Sequence, residues 1–265
     1  MELETFNYDM IFKEIDYCPS VVLGGERGSG KNILLNDVVF HLDKKLKFKN
    51  IFAFSSTDKY KGSLGFMKQE NIFQDLEPNL EKIYNKRFDN DDIPYEKLEP
   101  ILILFNDIDG LRVGKKEFRN NSIVRKIFTQ GRHKKICCVV LCQRIKSQLN
   151  PTIRLNSSIT FFFAPFSINE QRAIKDDYFG LVKNRGETEA VYHNLFSSAF
   201  TCGVVLSFKS GITSIKDYIK KYSAPFPMKK FKSHSLRKVK NKKKSSNNSI
   251  YETYTKTNQN VKWKF

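Results

Sequence analysis

The run Val21–Asn32, VVLGGERGSGKN, constrains this chain more than any other stretch. An apolar segment that reads as a buried strand passes into a glycine-rich turn. A lysine then opens a helical pattern. Gly25, Gly30 and Lys31 match the phosphate-loop template G-x-x-x-x-G-K-[ST] except at its last position, where Asn32 stands. Glycines let the backbone curl so that several N–H groups converge on one anion. The next helix adds unpaired N–H groups and the positive end of its dipole. Ile33, Leu34, Leu35, Val38, Val39 and Leu42 supply the helix's apolar stripe. A glycine turn without a ligand is the bland alternative, and the strand before and helix after weigh against it. Gly25, Glu26, Arg27, Gly28, Ser29, Gly30, Lys31 and Asn32 are therefore the candidate nucleotide-binding residues. Lys31 is the point charge for the β- and γ-phosphates.

A second element is ILILFNDIDG, Ile101–Gly110. An apolar strand delivers acidic residues at its C-terminal end, the edge where open α/β sheets bind ligands. In phosphate-loop enzymes an acid here holds magnesium and a neighbouring carboxylate orients or deprotonates water. Two alignments are open. Asn106 takes the metal position with Asp107 as base, or Asp107 takes it with Asp109 as base. Asn32, Asn106 and Asp107 are thus the metal candidates, and Asp107 is also a catalytic one.

The third element is Gly131–Asn156, GRHKKICCVVLCQRIKSQLNPTIRLN. Its strand ends in Gln143, which would face the γ-phosphate if it lay beside the acidic strand. Arg154 follows Pro151 on an expected polar loop and could stabilise charge on a transferred phosphoryl group, in cis or from a neighbouring subunit. Arg119, Arg125, Arg132 and Arg144 compete for that role.

Between these motifs, strands are predicted at Val21–Leu23, Ile51–Ser55, Ile101–Phe105, Ile136–Cys142, Ile159–Ala164 and Gly203–Phe208. Helices are predicted at about 31–45, in parts of 62–86, at 115–130 and at Ile168–Tyr178, with a short amphipathic piece near Ile215–Tyr222. The alternation implies a mostly parallel sheet covered by helices on both faces. Thr57–Leu98 is long for a crossover and reads as helices with a mobile loop. Residues 1–20 read as a leading segment, 21–226 as the α/β domain and 227–265 as a basic tail. Lys229–Lys244 holds nine Lys/Arg and no acid, a composition expected to stay disordered.

The whole chain of 265 residues carries 46 Lys+Arg against 28 Asp+Glu, a net charge of +18. That excess implies an anionic partner, nucleic acid before membrane surface, although a lysine-biased coding composition gives the same excess. No apolar run reaches the length of a membrane span, and the acidic N-terminus is unlike a signal peptide. The five cysteines show no paired zinc spacing, and reduced thiols are expected.

Taken together, GGERGSGKN, ILILFNDIDG and GRHKKICCVVLCQ…LNPTIRLN resemble the DNA-packaging ATPases of poxviruses and other large cytoplasmic DNA viruses, in the FtsK/HerA branch of phosphate-loop ATPases. The resemblance covers roughly residues 18–222. It implies a RecA-like α/β fold and a homo-oligomeric ring that uses ATP and Mg²⁺ to pump double-stranded DNA into a capsid. A capsid or portal-like protein is then a partner, no membrane is involved, and the location is the host cytoplasm, with the virion second. Carried over by position, Gly25–Lys31 is the phosphate loop, Asn32 replaces the Ser/Thr metal ligand and Asn106 replaces the first acid. Asp107 matches the second acid, Gln143 the polar sensor and Arg154 the arginine of Pro-x-x-Arg. Because Asn32 and Asn106 both replace metal-holding residues, a non-hydrolysing nucleotide-binding scaffold subunit is the alternative.

Overall fold

A computed structural model describes residues 2–57, 64–89, 93–113, 116–165, 167–182, 184–226 and 230–237. Its centre is an eight-stranded sheet in the order β10-β9-β8-β1-β7-β4-β2-β3. The strands are β1 Ser20–Gly24, β2 Asn50–Ser55, β3 Ile72–Phe73, β4 Ile101–Asn106, β7 Ile136–Cys142, β8 Ile159–Phe163, β9 Thr201–Leu206 and β10 Ile219–Ser223. A separate small hairpin joins β5 Arg112–Val113 to β6 Lys116–Glu117. From β3 to β8 all pairings are parallel; β9 and β10 run antiparallel to their neighbours. Helices α1 Asp9–Glu14 and α2 Lys31–Leu46 come early in the chain. They are followed by α3 Asn79–Phe88, α4 Ser122–Gln130, α5 Ile145–Gln148, α6 Pro151–Leu155, α7 Ile168–Tyr178, α8 Arg185–Leu195 and α9 Ile215–Tyr218.

The apolar strands split by side-chain parity into two cores. Val21, Leu23, Leu102, Leu104, Val139 and Leu141 face α2, where Leu34, Leu35, Val38, Val39 and Leu42 close the layer. Val22, Ile103, Phe105, Cys138 and Val140 face the other way, against Val124, Ile127 and Phe128 of α4 and Val191 and Leu195 of α8. Continuous apolar runs are what a sheet covered on both faces requires. All five cysteines are free and buried.

The outer elements depart from the sequence reading. Residues 1–20 do not stand apart as a leading segment: Phe6, Tyr8, Ile11 and Ile15 are buried in the α2-side core. Their backbone also seals the sheet edge, with Phe6 N donating to Lys221 O (2.8 Å) and Lys221 N to Glu4 O (3.0 Å). Buried Asp37 of α2 clamps this seam by accepting from the Tyr8 hydroxyl (2.7 Å) and from that of Tyr222. Burial first, then Asp37, pushes the Tyr8 phenol well above its ordinary range. Strand β10, IKKYS, is too lysine-rich to announce itself as a strand, and it runs near the covered edge. Residues 115–130 are not one helix, because β6 occupies Lys116–Glu117 and α4 begins only where Asn121 caps Val124 N (2.9 Å). Helix α8 has no counterpart in the sequence reading.

The tail boundary also moves. Residues 230–237 lie against the domain: Phe231 stacks on Phe66 with centroids 5.1 Å apart, and Ser233 N donates to Phe66 O (2.9 Å). Buried Asp43 accepts from His234 N (2.7 Å) and from Phe48 N (3.2 Å). One aromatic and one carboxylate suffice to dock a segment that composition assigns to the tail. The rest of the predicted tail, 238–265, and positions 90–92 of the acidic DNDD run lie outside the described residues. So does 58–63, at the start of the Thr57–Leu98 segment read as helices with a mobile loop.

Phe231→Ala is expected to lower the free energy of unfolding by ~1–3 kcal/mol, the range for a partly buried ring that loses aromatic partners. Urea denaturation of the full chain measures it; an unchanged midpoint means that the docked segment adds nothing to the domain.

Candidate nucleotide site

Parallel pairing levels the strand ends. Gly24 lies opposite Cys142, and Asn106 opposite Ser55. The residues just after these strands therefore meet at one edge, around a cleft of about 720 Å³. Its walls include Arg27, Gly28, Lys31 and Asn32 from the glycine turn and α2. Thr57 comes after β2, Asp107 after β4 and Gln143 after β7. Strand β7 stands between the glycine-turn strand and the acidic strand, which puts Gln143 at the middle of the cleft.

The turn is built by backbone conformation. Gly28 and Gly30 hold φ of 83° and 98°, in the left-handed region where a Cβ is strained. Gly30 caps α2, so the helix's first N–H groups, which have no partner within the helix, open toward the cleft. Ser29 Oγ is buried within the turn and has no hydrogen-bond partner. Such an orphaned hydroxyl inside a ring of amides is what a bound anion satisfies. Lys31 Nζ folds back onto the carbonyls of Gly25 and Glu26, the latter at 2.7 Å. Burial lowers the Lys31 ammonium below its ordinary range; Cys142, Asp107 and Glu26 pull the other way.

Side-chain parity places the polar strand ends. Asn106 continues the row of Leu102 and Leu104, and Gln143 continues that of Val139 and Leu141; both rows face α2. Asn106 is buried and its Nδ2 lies 3.4 Å from Ser55 Oγ. Asp107 takes a left-handed conformation, φ 56°, and accepts from Thr57 Oγ1 at 3.3 Å. Asp109 is drawn aside by Gln148 Nε2. Burial and then Asp107 raise the Asp109 carboxyl, while Gln148 and Arg144 offset part of that rise. The geometry thus favours the alignment in which Asn106 occupies the strand-end position and half-buried Asp107 is the carboxylate that follows it, while the more exposed Asp109 is held by Gln148.

Arg154 is not brought to this cleft. It lies in α6, not on a loop, because Asn150 caps Ile153 N (2.9 Å) and Pro151 opens the first turn. That helix leads into the start of β8, where Ser158 N bonds Ser20 O (2.8 Å) at the beginning of β1. Arg154 therefore sits at the opposite edge of the sheet and pairs with Asp177, which excludes a role in its own cleft.

Sequence reasoning missed two structural contributors. Gln148 Oε1 accepts from Gln143 N (2.7 Å) and Arg144 N (2.9 Å) while its Nε2 holds Asp109, so one amide ties β7 to the acidic turn. Thr57 could have been found, since it comes after a buried strand ending at the same edge. Gln148 carries no local signal.

Mg²⁺ needs only one or two carboxylates beside phosphate oxygens and waters. Asp107 with the amide oxygens of Asn32 and Asn106 meets that requirement in a form poor in charge. Among the described residues no group of three or more His, Cys, Asp or Glu forms a cage of its own. No helix among them is long and apolar enough to cross a membrane.

A family described as Poxvirus A32 protein matches residues 4–174. No curated protein matches the sequence. Among solved structures, the DNA-packaging ATPase B204 from Sulfolobus turreted icosahedral virus aligns with a TM-score of 0.53 at 15% identity, over 80% of this chain and 100% of that one. The genome packaging NTPase B204 of Sulfolobus turreted icosahedral virus 2, in complex with AMPPCP, gives 0.52 at 15% identity, again over 80% and 100%. EssC (ATPases 2 and 3) from Geobacillus thermodenitrificans gives 0.52 at 15% identity, over 86% of this chain and 43% of that one. At such identities the likeness is one of fold.

An anion held by this turn is expected to require a protonated Lys31. Affinity for inorganic tripolyphosphate is expected to fall as pH rises through the lysine's free-state value, starting below the ordinary 10.5, with a limiting slope of about one log unit per pH unit. Lys31→Ala removes that slope. Titration calorimetry across pH checks both, and a wild-type affinity flat to pH 10.5 contradicts the assignment.

Proposed function

The chain belongs to the poxvirus A32 protein family, and from that premise we propose that it is an ATP-driven motor that packages double-stranded viral DNA into a capsid. The observation that carries this reading is one cleft in which the glycine turn, Asp107 and Gln143 converge. On this reading the working form is a homo-oligomeric ring, a capsid or portal-like protein receives the DNA, and the work is done in the infected host's cytoplasm.

The amides of Gly25–Lys31 and the N-terminus of α2 hold the β- and γ-phosphates. Lys31 leaves the Gly25 and Glu26 carbonyls for phosphate oxygens, exchanging two neutral acceptors for a charged one. Asp107 orients the attacking water or takes its proton, and Thr57 steadies the carboxylate. Gln143, level with the strand end, contacts the γ-phosphate or that water. Asn32, Asn106 and Asp107 would hold Mg²⁺, which would supply positive charge to offset the negative charge building on the phosphates. An arginine from a neighbouring subunit completes the charge balance. Arg154 can serve only in that way, after exchanging its Asp177 partner. The +18 excess supplies sequence-independent, salt-sensitive contact with DNA phosphates.

The two asparagines set the rate. An amide in place of a carboxylate, and another in place of a hydroxyl, weaken the metal's grip by ~2–4 kcal/mol in the transition state, about 30–1,000-fold in turnover. Steady-state ATP hydrolysis with Mg²⁺ and DNA, beside an ATP-binding measurement, tests the whole reading. Measurable turnover is expected. Lys31→Ala should cost about tenfold or more in ATP affinity, and Asp107→Asn should lower kcat ~100-fold or more with binding retained. Asn32→Thr with Asn106→Asp should raise kcat within the range above. Binding with no wild-type turnover, restored by that double variant, identifies a scaffold subunit instead.

A further inference from the structure

Beside the nucleotide cleft, across Gly30, lies a second hollow of about 320 Å³. The two share Gly30, Ile33 and Phe200. Phe163 forms its floor, and Ala224 and Phe226, after β10, form its far side. Ser223 is the one polar side chain among the described residues that line it. Phe200 is 64% exposed and Phe226 79%, two large rings turned to solvent at one opening. Phe200 also holds φ 57°, an uncommon conformation for a bulky residue. The conformation presses its ring against the turn: a Cβ on Gly30 would lie 3.3 Å from Phe200 Cδ1. Strained backbone that presents an exposed aromatic beside a ligand site points to contact with that ligand.

The direction fits one occupant. Asp107 and Gln143 mark the γ-phosphate end of the cleft, on the β7 and β4 side of the turn. The hollow lies on the β8–β10 side, where the other end of a nucleotide bound by this turn must go. We propose that Phe200, with Phe226 and Phe163, forms a stacking platform for the base of a nucleoside triphosphate, and that it does not tell adenine from guanine. This rests on the nucleotide reading above. A base offers every aromatic platform a π-face, whereas telling adenine from guanine needs hydrogen-bonding groups aimed at the ring edge. The one hydroxyl of Ser223 cannot sort the two exocyclic patterns.

The test is titration calorimetry of the full chain with ATP, GTP and inorganic tripolyphosphate, with sedimentation of each protein alongside. ATP should bind about tenfold or more tighter than tripolyphosphate, and GTP within about threefold of ATP. Phe200→Ala should remove most of the gap between ATP and tripolyphosphate while leaving tripolyphosphate affinity unchanged; Phe200→Trp should keep the gap. The proposal is overturned if Phe200→Ala leaves that gap intact, if GTP binds ~30-fold or more weaker than ATP, or if the variant changes only the oligomeric state, which would assign the hollow to a second copy of the chain. If neither ATP nor tripolyphosphate binds the folded wild type, the nucleotide reading itself fails, a result distinct from the other three.

Discussion

Parallel pairing among β1, β7, β4 and β2 is the constraint on which the rest depends. Hydrogen bonding in register fixes where each strand stops relative to its neighbours, and here all four stop together. Apart from Phe200, which precedes β9, the described residues that line the cleft lie at the end of a strand, among the first few residues after one, or in the glycine turn and the start of α2. The site inherits the rigidity of a sheet packed on both faces. A shift of one residue in β7 would turn Gln143 to the α4 side and bring Arg144 to the α2 face.

Much of this was legible because the informative segments are buried and periodic. The predicted boundaries of β7 and of α7 agree with the structure to the residue, since an apolar strand and a well-spaced amphipathic helix leave little choice. The glycine turn was equally readable, because left-handed backbone at two positions admits few residues. Legibility fell at the sheet's outer edge. Strand β10 carries two lysines, and one of them, Lys220, is buried only because its Nζ reaches Glu4 Oε2 and Lys216 O, both at 2.6 Å. That solution is tertiary and no local pattern announces it. The distance of Arg154 from its own cleft was illegible for a related reason: proximity in sequence to Gln143 says nothing about which end of the sheet a short helix occupies, and the role expected of it from a neighbouring subunit does not depend on that distance. Gln148 escaped notice because its three hydrogen bonds come from one side chain's reach.

The cleft is rich in backbone donors and poor in charge. Arg27 and Lys31 are its cations and Asp107 and Asp109 its carboxylates among the described residues, and the two strand- and helix-end positions that would complete a metal site hold amides. On the proposed reading, a site with this balance grips phosphate through the turn, independently of the metal, and leaves the chemical step to a thin set of groups. Binding and turnover are therefore separable in this chain. The apolar hollow extends that separation, since stacking strengthens binding without touching the reacting atoms.

Docking of residues 230–237 has a geometric consequence. Asp43 and Phe231 fasten the chain near the last turn of α2, beside the edge where strands begin. Arg237 is thereby fixed at the edge where strands begin, remote from the glycine turn. The docked segment and the cleft thus sit at opposite ends of α2, and anything anchored through the one is set a whole helix away from the other.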